Sequence, residues 1–447
     1  MTNCLKINKK ISPYDQKILI DGDKSLSIRW ALLASQAKGN SRAYKLLKSE
    51  DVLSTLNCLK ELGVKIIFKK NYCEITGKGL NSYNYKKNLT LDAGNSGTLG
   101  RLILGLLVHS KNKVRLIGDK SLSKRDFSRV SIPLSKFGAK FHSNKGNNLP
   151  LSILGSDLAR PISYFESKGS AQCKSSIMLA ALNTKGETFI KAKKSRDHTE
   201  LLFKYLKIPI KIKKTKHFDY IWIKGKKEIQ SFNYKIPADI SSSAFFLVLT
   251  ALSSKSQLLI KNVNINPSRI GVIKILKKMG VKILITNKND YNGELVADLF
   301  VKSAKKLKNI NCPSELNSSA IDEFLIIFLV AAKANGVSYF KNLSELNQKE
   351  SPRLEWGSKI LNMMGVKTIL TNHSIKIYGN PKLKITKTIK IKNYLKDHRI
   401  FMMSTVAALT CGGRWEINDP DSIQTSFPSF LKVIKKLDKK NYEKKKK

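Results

Sequence analysis

Apolar positions recur along the chain in one phrase that drifts but never disappears. It reads LNCLKELGVKI from residue 56, IPLSKFGAKF from 132, VIKILKKMGVKIL from 272 and SKILNMMGVKTIL from 358, with weaker copies LLFKYLKIPIKI from 201 and FLKVIKKL from 430. In each copy, apolar residues three and four apart predict an amphipathic helix. A glycine or other stop ends most of them, and a β-branched run predicts a short strand. Six copies at intervals of roughly 60 to 85 residues predict six similar helix-and-strand units. Between them lie further patterns, such as the strand YCEITGKGL and the apolar helix SSIMLAALNT, so each unit is mixed α/β and larger than a single βαβ.

Three copies precede residue 235 and three follow it. A boundary near residues 236–240 would split the chain into two similar halves, in keeping with a length of 447 residues that exceeds one compact core. IDGDKS at residues 20–25 is a second candidate crossing, which would assign the first twenty residues to the C-terminal half. We therefore expect domains at 22–238 and at 1–21 plus 239–435, with a lysine-rich tail at 436–447.

Charge changes the picture in one respect. The 82 Lys plus Arg against 33 Asp plus Glu give a formal +49, which raises a nucleic-acid or anionic-membrane partner. Lysine is spread along the whole chain, however, and neither interleaved aromatics nor a recognised nucleic-acid module is evident in the linear sequence. The expectation is no nucleic-acid and no membrane partner. Because arginine is scarce, its positions become informative: a planar fork for phosphate or carboxylate needs arginine where solubility alone needs only lysine. Arg29, Arg101, Arg125, Arg196, Arg353 and Arg399 all adjoin Gly, Ser, Thr, Asp or His clusters, which suits small, multiply charged anions. The six cysteines are dispersed without metal-ligand spacing, pointing to reduced thiols and no metal. The N-terminus has no apolar leader and no apolar run reaches transmembrane length, from which we expect a cytoplasmic protein.

Several small-residue corners open helical patterns. LDAGNSGTLGRL places Asn95 to Thr98 where backbone N–H groups and a helix start would receive an anion. DGDKSLSIR brings Lys24, Ser25 and Arg29; GDKSLSKR brings Arg125; KGSAQCKSS brings Ser170, Gln172 and Lys174; KSRDHTE brings Ser195 and Arg196. Each alone is also what an ordinary capping turn uses. Together they suggest one anion site assembled from several units. The C-terminal half adds acids: Asp322 and Glu323 before an apolar helix, Lys349, Glu350 and Arg353 within one turn, and Asp397, His398 and Arg399 before another helix. Asp322, Glu350 and His398 are candidate proton-transfer groups in a charged cleft.

Taken in order, DGDKSLSIR, GNSGTLGR, GDKSLSKR, SAQCKSS, SRDHTE, PADISSSAFF, NPSRIGVI, IDE, KESPR and DHRIFM resemble the successive signatures of the 5-enolpyruvylshikimate-3-phosphate synthase family over nearly the whole chain. SAQCKS, SRDHTE and TSFPSF resemble its second sequence class. The resemblance implies the enolpyruvyl transferase fold: a two-domain inside-out α/β barrel of six βαβαββ repeats, three per domain, with the active site in the interdomain cleft. It implies a cytoplasmic monomer without cofactor that acts on shikimate 3-phosphate and phosphoenolpyruvate.

Residue by residue, it implies contacts to shikimate 3-phosphate from Lys24, Ser25, Arg29, Ser170, Gln172, Ser195, Arg196, Asp322 and Lys349. Around phosphoenolpyruvate it implies Lys24, Asn95, Gly97, Thr98, Arg125, Gln172, Glu350, Arg353, His398 and Arg399, with Arg101 supporting the Asn95 turn. Lys24, Asp322 and Glu350 would be catalytic. Gly97, lacking a methyl, implies inhibition by glyphosate. The chain departs from the family pattern at Pro352, where an acid is usual, and at Asn347, Asp126 and Ala238, where Arg, Pro and Gly are usual. The alternatives weighed are a UDP-N-acetylglucosamine enolpyruvyl transferase, whose reactive cysteine is missing from the GDKSLSKRD loop, a basic nucleic-acid-binding protein, and an inactive copy of the enzyme.

Overall fold

The computed structural model describes residues 4–143 and 146–438. Five copies of the recurrent phrase fold as a helix leading straight into a strand: Glu50–Glu61 into Lys65–Phe68, Ser128–Ser135 into Lys140–Ser143, His198–Tyr205 into Ile210–Lys214, Gly271–Lys278 into Ile283–Tyr291, and Arg353–Met363 into Thr368–Leu370. The stop between helix and strand has left-handed backbone each time, at Gly63, Gly138, Gly280 and Gly365, and at Lys207 where the phrase lacks a glycine. That conformation ends a helix by turning its last carbonyls to new donors, and glycine adopts it without Cβ strain. The sixth copy ends in the helix Phe430–Leu437, and the strand Cys4–Ile7 pairs antiparallel with Arg414–Asn418. The phrase thus marks where the chain leaves a helix for the edge of a sheet.

Six sheets form among the described residues, and a pairing pattern recurs in them. Leu89–Asp92 runs parallel to Val114–Ile117, which is antiparallel to Leu151–Leu154, which is antiparallel to Lys140–Ser143. Ser163–Glu166, Glu187–Lys193, Phe218–Lys224 and Ile210–Lys214 repeat it. The parallel step requires a crossover, and a helix supplies it.

The chain divides into two compact units. The N-terminal unit comprises Gly22–Pro237 with Asp290–Glu294, and the C-terminal unit the remaining described residues. The N-terminal unit holds α1 (Lys24–Ala34), α2 (Glu50–Glu61), α3 (Gly97–Leu106), α4 (Ser128–Ser135), α5 (Ala171–Asn183) and α6 (His198–Tyr205). The C-terminal unit holds α7 (Ile240–Leu252), α8 (Gly271–Lys278), α9 (Asn317–Ala320), α10 (Phe324–Lys333), α11 (Arg353–Met363), α12 (His398–Cys411) and α13 (Phe430–Leu437). Lys436 and Leu437 belong to α13, so the lysine-rich tail expected from residue 436 begins inside a helix; residues 439–447 lie outside the described part. No helix of the described residues is long and apolar enough to cross a membrane.

Each unit has its own core. α1, α5, α7, α10 and α12 are buried along almost their whole length; α7 and α10 are apolar on nearly all sides, whereas α1 and α5 carry buried polar groups such as Arg29 and Lys174 that are met by buried partners. Close helix packing in the N-terminal unit depends on Gly105: a Cβ there would collide with the Ser176 carbonyl of α5, while Ser176 Oγ donates to the Arg101 carbonyl of α3 at 2.8 Å. The starts of α1, α3, α5, α7 and α12 are capped by Asp23, Ser96, Ser170, Asp239 and Asp397 in turn, each accepting a backbone N–H of its own helix.

One half-buried base sets a pH dependence. His109, bonded through Nε2 to Thr184 Oγ1 at 3.0 Å, is pushed down from 6.5 to about 4 by burial and by Lys226. The unfolded chain takes up this proton near pH 6.5 and the folded one only near 4, so stability is expected to fall as pH drops through that window. The melting temperature of His109→Gln should lose this component while keeping the rest of the acid limb. Identical profiles for the two proteins would remove His109 from the account.

Candidate active site

In the N-terminal unit the small-residue corners converge through hydrogen bonds between helix starts. Gln172, near the start of α5, donates from Nε2 to Thr98 Oγ1 at 3.1 Å and accepts from Arg101 Nη1 at 2.7 Å, joining it to α3. Asn95 donates to Asp119 Oδ2 at 2.6 Å, while Asp119 Oδ1 accepts the Leu122 amide at 2.7 Å, so the loop carrying Arg125 is tied to the same corner. A Cβ on Gly97 would sit 2.9 Å from Arg125 Nη1 and 3.2 Å from Arg101 Nη1. Ser170 caps α5, and a Cβ on the neighbouring Gly169 would sit 3.3 Å from the carbonyl of Lys194, the residue before Ser195 and Arg196. Ser195 Oγ is buried with no hydrogen-bond partner among the described residues.

Lys24 lies at the first position of α1 and its Nζ reaches Asp51 Oδ2 at 2.7 Å. Ser25 offers its carbonyl to Arg29 Nη1 at 3.2 Å. The Arg29 guanidinium also donates to Thr199 Oγ1 at 2.9 Å and Ser175 Oγ at 3.0 Å, binding α1 to α6 and α5. Beneath this network Lys174 and Glu200 form a fully buried ion pair at 2.5 Å. Losing either partner would strand a charge, at a cost of about 3–5 kcal/mol.

The C-terminal unit gathers acids and bases around one guanidinium. Arg353, only 2% exposed, donates from Nε to Asp397 Oδ2 at 2.8 Å and from Nη2 to Asp397 Oδ1 at 3.2 Å. It also contacts Glu350 and lies 3.5 Å from Asp322 Oδ1. Burial pulls its pKa down, but Asp397, Glu350 and Asp322 outweigh that and hold it above the ordinary arginine value. Lys349 Nζ approaches Asp322 Oδ1 at 3.1 Å, and Arg399 Nη1 donates to the Asp322 carbonyl at 2.6 Å. Glu323, at the start of α10, accepts from Ser241 Oγ, which also accepts from Arg269 Nη2 at 2.8 Å. His398 Nδ1 is held against Thr425 Oγ1 at 3.2 Å.

The departures from the family pattern have local explanations. Pro352 occupies the N-cap position of α11 with φ −70° and supplies no side-chain acceptor; Asn347 Oδ1 takes the Leu354 amide instead, at 3.0 Å. A proline costs little at a helix start, where its missing N–H would have no helical partner. Asp126 caps Ser128 through its amide at 2.7 Å and offers its own carbonyl to Arg101 at 3.2 Å. Ala238 N–H donates to Asn262 at 2.9 Å, and its carbonyl accepts from Asn264 at the same distance.

Asp51, Asp397 and Arg269 were not among the predicted site residues. Arg269 had a signal, since the scarcity of arginine applies equally to NPSRIG. Asp51 and Asp397 show their role only when another helix brings Lys24 or Arg353 to them. No group of His, Cys, Asp and Glu able to hold a metal occurs among the described residues.

The architecture is that of an enolpyruvyl transferase. It superposes on the enolpyruvyl transferase NikO from Streptomyces tendae with a TM-score of 0.76, covering 98% of both chains at 14% identity, a likeness of fold alone. It superposes on the EPSP synthase of Acinetobacter baumannii with a TM-score of 0.84, covering 97% of this chain and 98% of that one at 33% identity. Residues 8–434 match the family described as EPSP synthase (3-phosphoshikimate 1-carboxyvinyltransferase), and the chain belongs to it. The 3-phosphoshikimate 1-carboxyvinyltransferase of Ruthia magnifica is 41% identical over 420 residues, 94% of each chain; that of Vesicomyosocius okutanii is 40% identical over 433 residues, 96% of this chain and 97% of its own.

Proposed function

We propose that the chain transfers the enolpyruvyl group of phosphoenolpyruvate to the 5-hydroxyl of shikimate 3-phosphate, a step towards chorismate and the aromatic amino acids. The observation that carries the residue assignment is the cluster in which Asp322 Oδ1 stands 3.1 Å from Lys349 Nζ and 3.5 Å from Arg353 Nη1, with Glu350 on the same guanidinium. Carboxylates beside cations can move protons at a reacting centre while the cations hold anionic groups.

In the first stage Asp322 accepts the 5-hydroxyl proton, the oxygen bonds to C2, and the double-bond electrons take a proton at C3. In the second stage the C2–O bond to phosphate breaks and C3 loses a proton, leaving the enol ether and inorganic phosphate. Lys24 and Glu350 give and remove the proton at C3. Ser25, Arg29, Ser170, Gln172, Ser195, Arg196 and Lys349 hold shikimate 3-phosphate; Asn95, Gly97, Thr98, Gln172, Arg125, Arg353, His398 and Arg399 hold phosphoenolpyruvate. The buried, partnerless Ser195 hydroxyl supports its share of this reading, since such a group is costly unless a ligand meets it.

The assay is phosphate release from purified protein with both substrates and EDTA present. Release that requires both substrates is expected, and none from folded protein would refute the reading. The chain is proposed to act as a cytoplasmic monomer, for which sedimentation should give one species near 50.3 kDa; a dimer would overturn that part alone.

Gly97 offers a finer test. A methyl there would press on Arg125 and Arg101, so Gly97→Ala should raise KM for phosphoenolpyruvate several-fold while changing kcat less. The unsubstituted protein should be inhibited by glyphosate competitively with phosphoenolpyruvate. Full activity in excess glyphosate at low phosphoenolpyruvate would contradict this.

A further inference from the structure

Strand pairing sets aromatic rings and lysines side by side on one sheet of the N-terminal unit. That sheet runs, edge to edge, through Ser163–Glu166, Glu187–Lys193, Phe218–Lys224 and Ile210–Lys214. Side chains alternate across a strand, so Ile190, Ala192, Ile221 and Ile223 fill the core while their neighbours face outward. The outward positions form ordered rows: Phe165 opposite Lys191, Tyr220 and Lys213; Phe189 opposite Trp222 and Lys211; Lys193 opposite Phe218.

The rings form one surface. Phe189 lies 5.1 Å from Trp222 and 6.4 Å from Tyr220, and Phe165, 48% exposed, lies 5.8 Å from Phe218. The Lys191 ammonium stands over Phe218 at 4.7 Å and Phe165 at 5.1 Å, and Lys211 stands over Trp222 at 5.6 Å. Alternation leaves Glu187, paired with Lys224, as the acid of this outward face.

We propose that this face binds single-stranded polynucleotide. A single strand presents two chemistries at the same spacing, unstacked base faces and phosphates. Aromatic rings on a sheet meet the first and lysines between them the second. A lipid surface would favour an apolar patch rimmed by charge, whereas these ammonium groups sit directly over the rings. Duplex nucleic acid hides its base faces and would meet the lysines only. The overall +49 charge predicts some binding of any polyanion, so the inference rests on the rings.

The test uses the full chain with fluorescent twenty-residue oligo(dT) and oligo(U) in anisotropy titrations at physiological salt. Replacing Phe218, Tyr220 and Trp222 together by Leu removes three of the five rings, all those of the Phe218–Lys224 strand, and leaves net charge unchanged. Affinity should fall at least about tenfold, since stacking contributes roughly 1–3 kcal/mol per base. A preference for oligo(U) or oligo(dT) identifies the natural strand. Trp30, Trp356 and Trp415 are buried, so quenching of tryptophan fluorescence by unlabelled oligonucleotide reports on Trp222.

Circular dichroism checks the fold of the triple variant. If it unfolds, the quench and the single variant Tyr220→Leu decide the matter. Equal affinity for duplex and single strand, affinity untouched by ring removal, or absence of quenching would overturn the proposal. So would self-association or vesicle binding that the triple variant abolishes while oligonucleotide affinity stays unchanged.

Discussion

Asp322→Asn is expected to slow phosphate release by roughly 10²–10⁴-fold, the usual worth of a positioned acid or base. The amide keeps the size of the carboxylate and leaves its main-chain carbonyl to accept from Arg399 at 2.6 Å. What it loses is the ability to take a proton and the ion pairs with Lys349 and Arg353. If Asp322 takes the hydroxyl proton, kcat falls while the melting temperature changes little. A variant with near-normal kcat and a raised KM for shikimate 3-phosphate would assign Asp322 to binding alone and move the base elsewhere, with Glu350 the first candidate.

The second large effect concerns stability. Arg353→Ala would leave Asp397, Glu350 and Asp322 facing one another without the guanidinium that separates them. Breaking a buried pair by removing one partner costs about 3–5 kcal/mol, a substantial part of a typical domain's stability. Arg353→Lys should recover part of this, since one ammonium restores the charge but cannot span both Asp397 oxygens.

The sign of the pH response separates this from simple loss of packing. Clustered carboxylates without their cation favour protonation, so the folded variant binds more protons than the unfolded chain and the deficit shrinks towards acid pH. Urea midpoints measured between pH 5 and 8 would show it; a deficit independent of pH would point to the lost volume alone.

These residues show what could be read in advance. The helix-and-strand phrase was legible because periodicity and the turn that follows it are local properties, and its glycines stand where the backbone is left-handed. The corners around Asn95, Lys24, Ser170 and Ser195 were legible as helix starts, and the structure joins Thr98, Arg101 and Gln172 by direct bonds. Asp397 could be seen as a cap for α12, but not as the principal partner of Arg353, because forty-four residues separate them. The aromatic face was hidden in part for the same reason: Phe218, Tyr220 and Trp222 alternate along one strand, but Phe165 and Phe189 join them from two others only through register.

The division of labour between Pro352 and Asn347 also bears on how this sequence can change over time. An acid at position 352 could accept the helix amides itself; here Asn347, which lies five residues earlier, receives the Leu354 amide. While Pro352 remains, mutating Asn347 should cost the helix about 1 kcal/mol; with Pro352→Asp in place, the same mutation should be nearly neutral. Mutational paths through this turn therefore depend on their order, and transplanting Pro352 without Asn347 into a relative with the usual motif would import a deficit that this chain does not have.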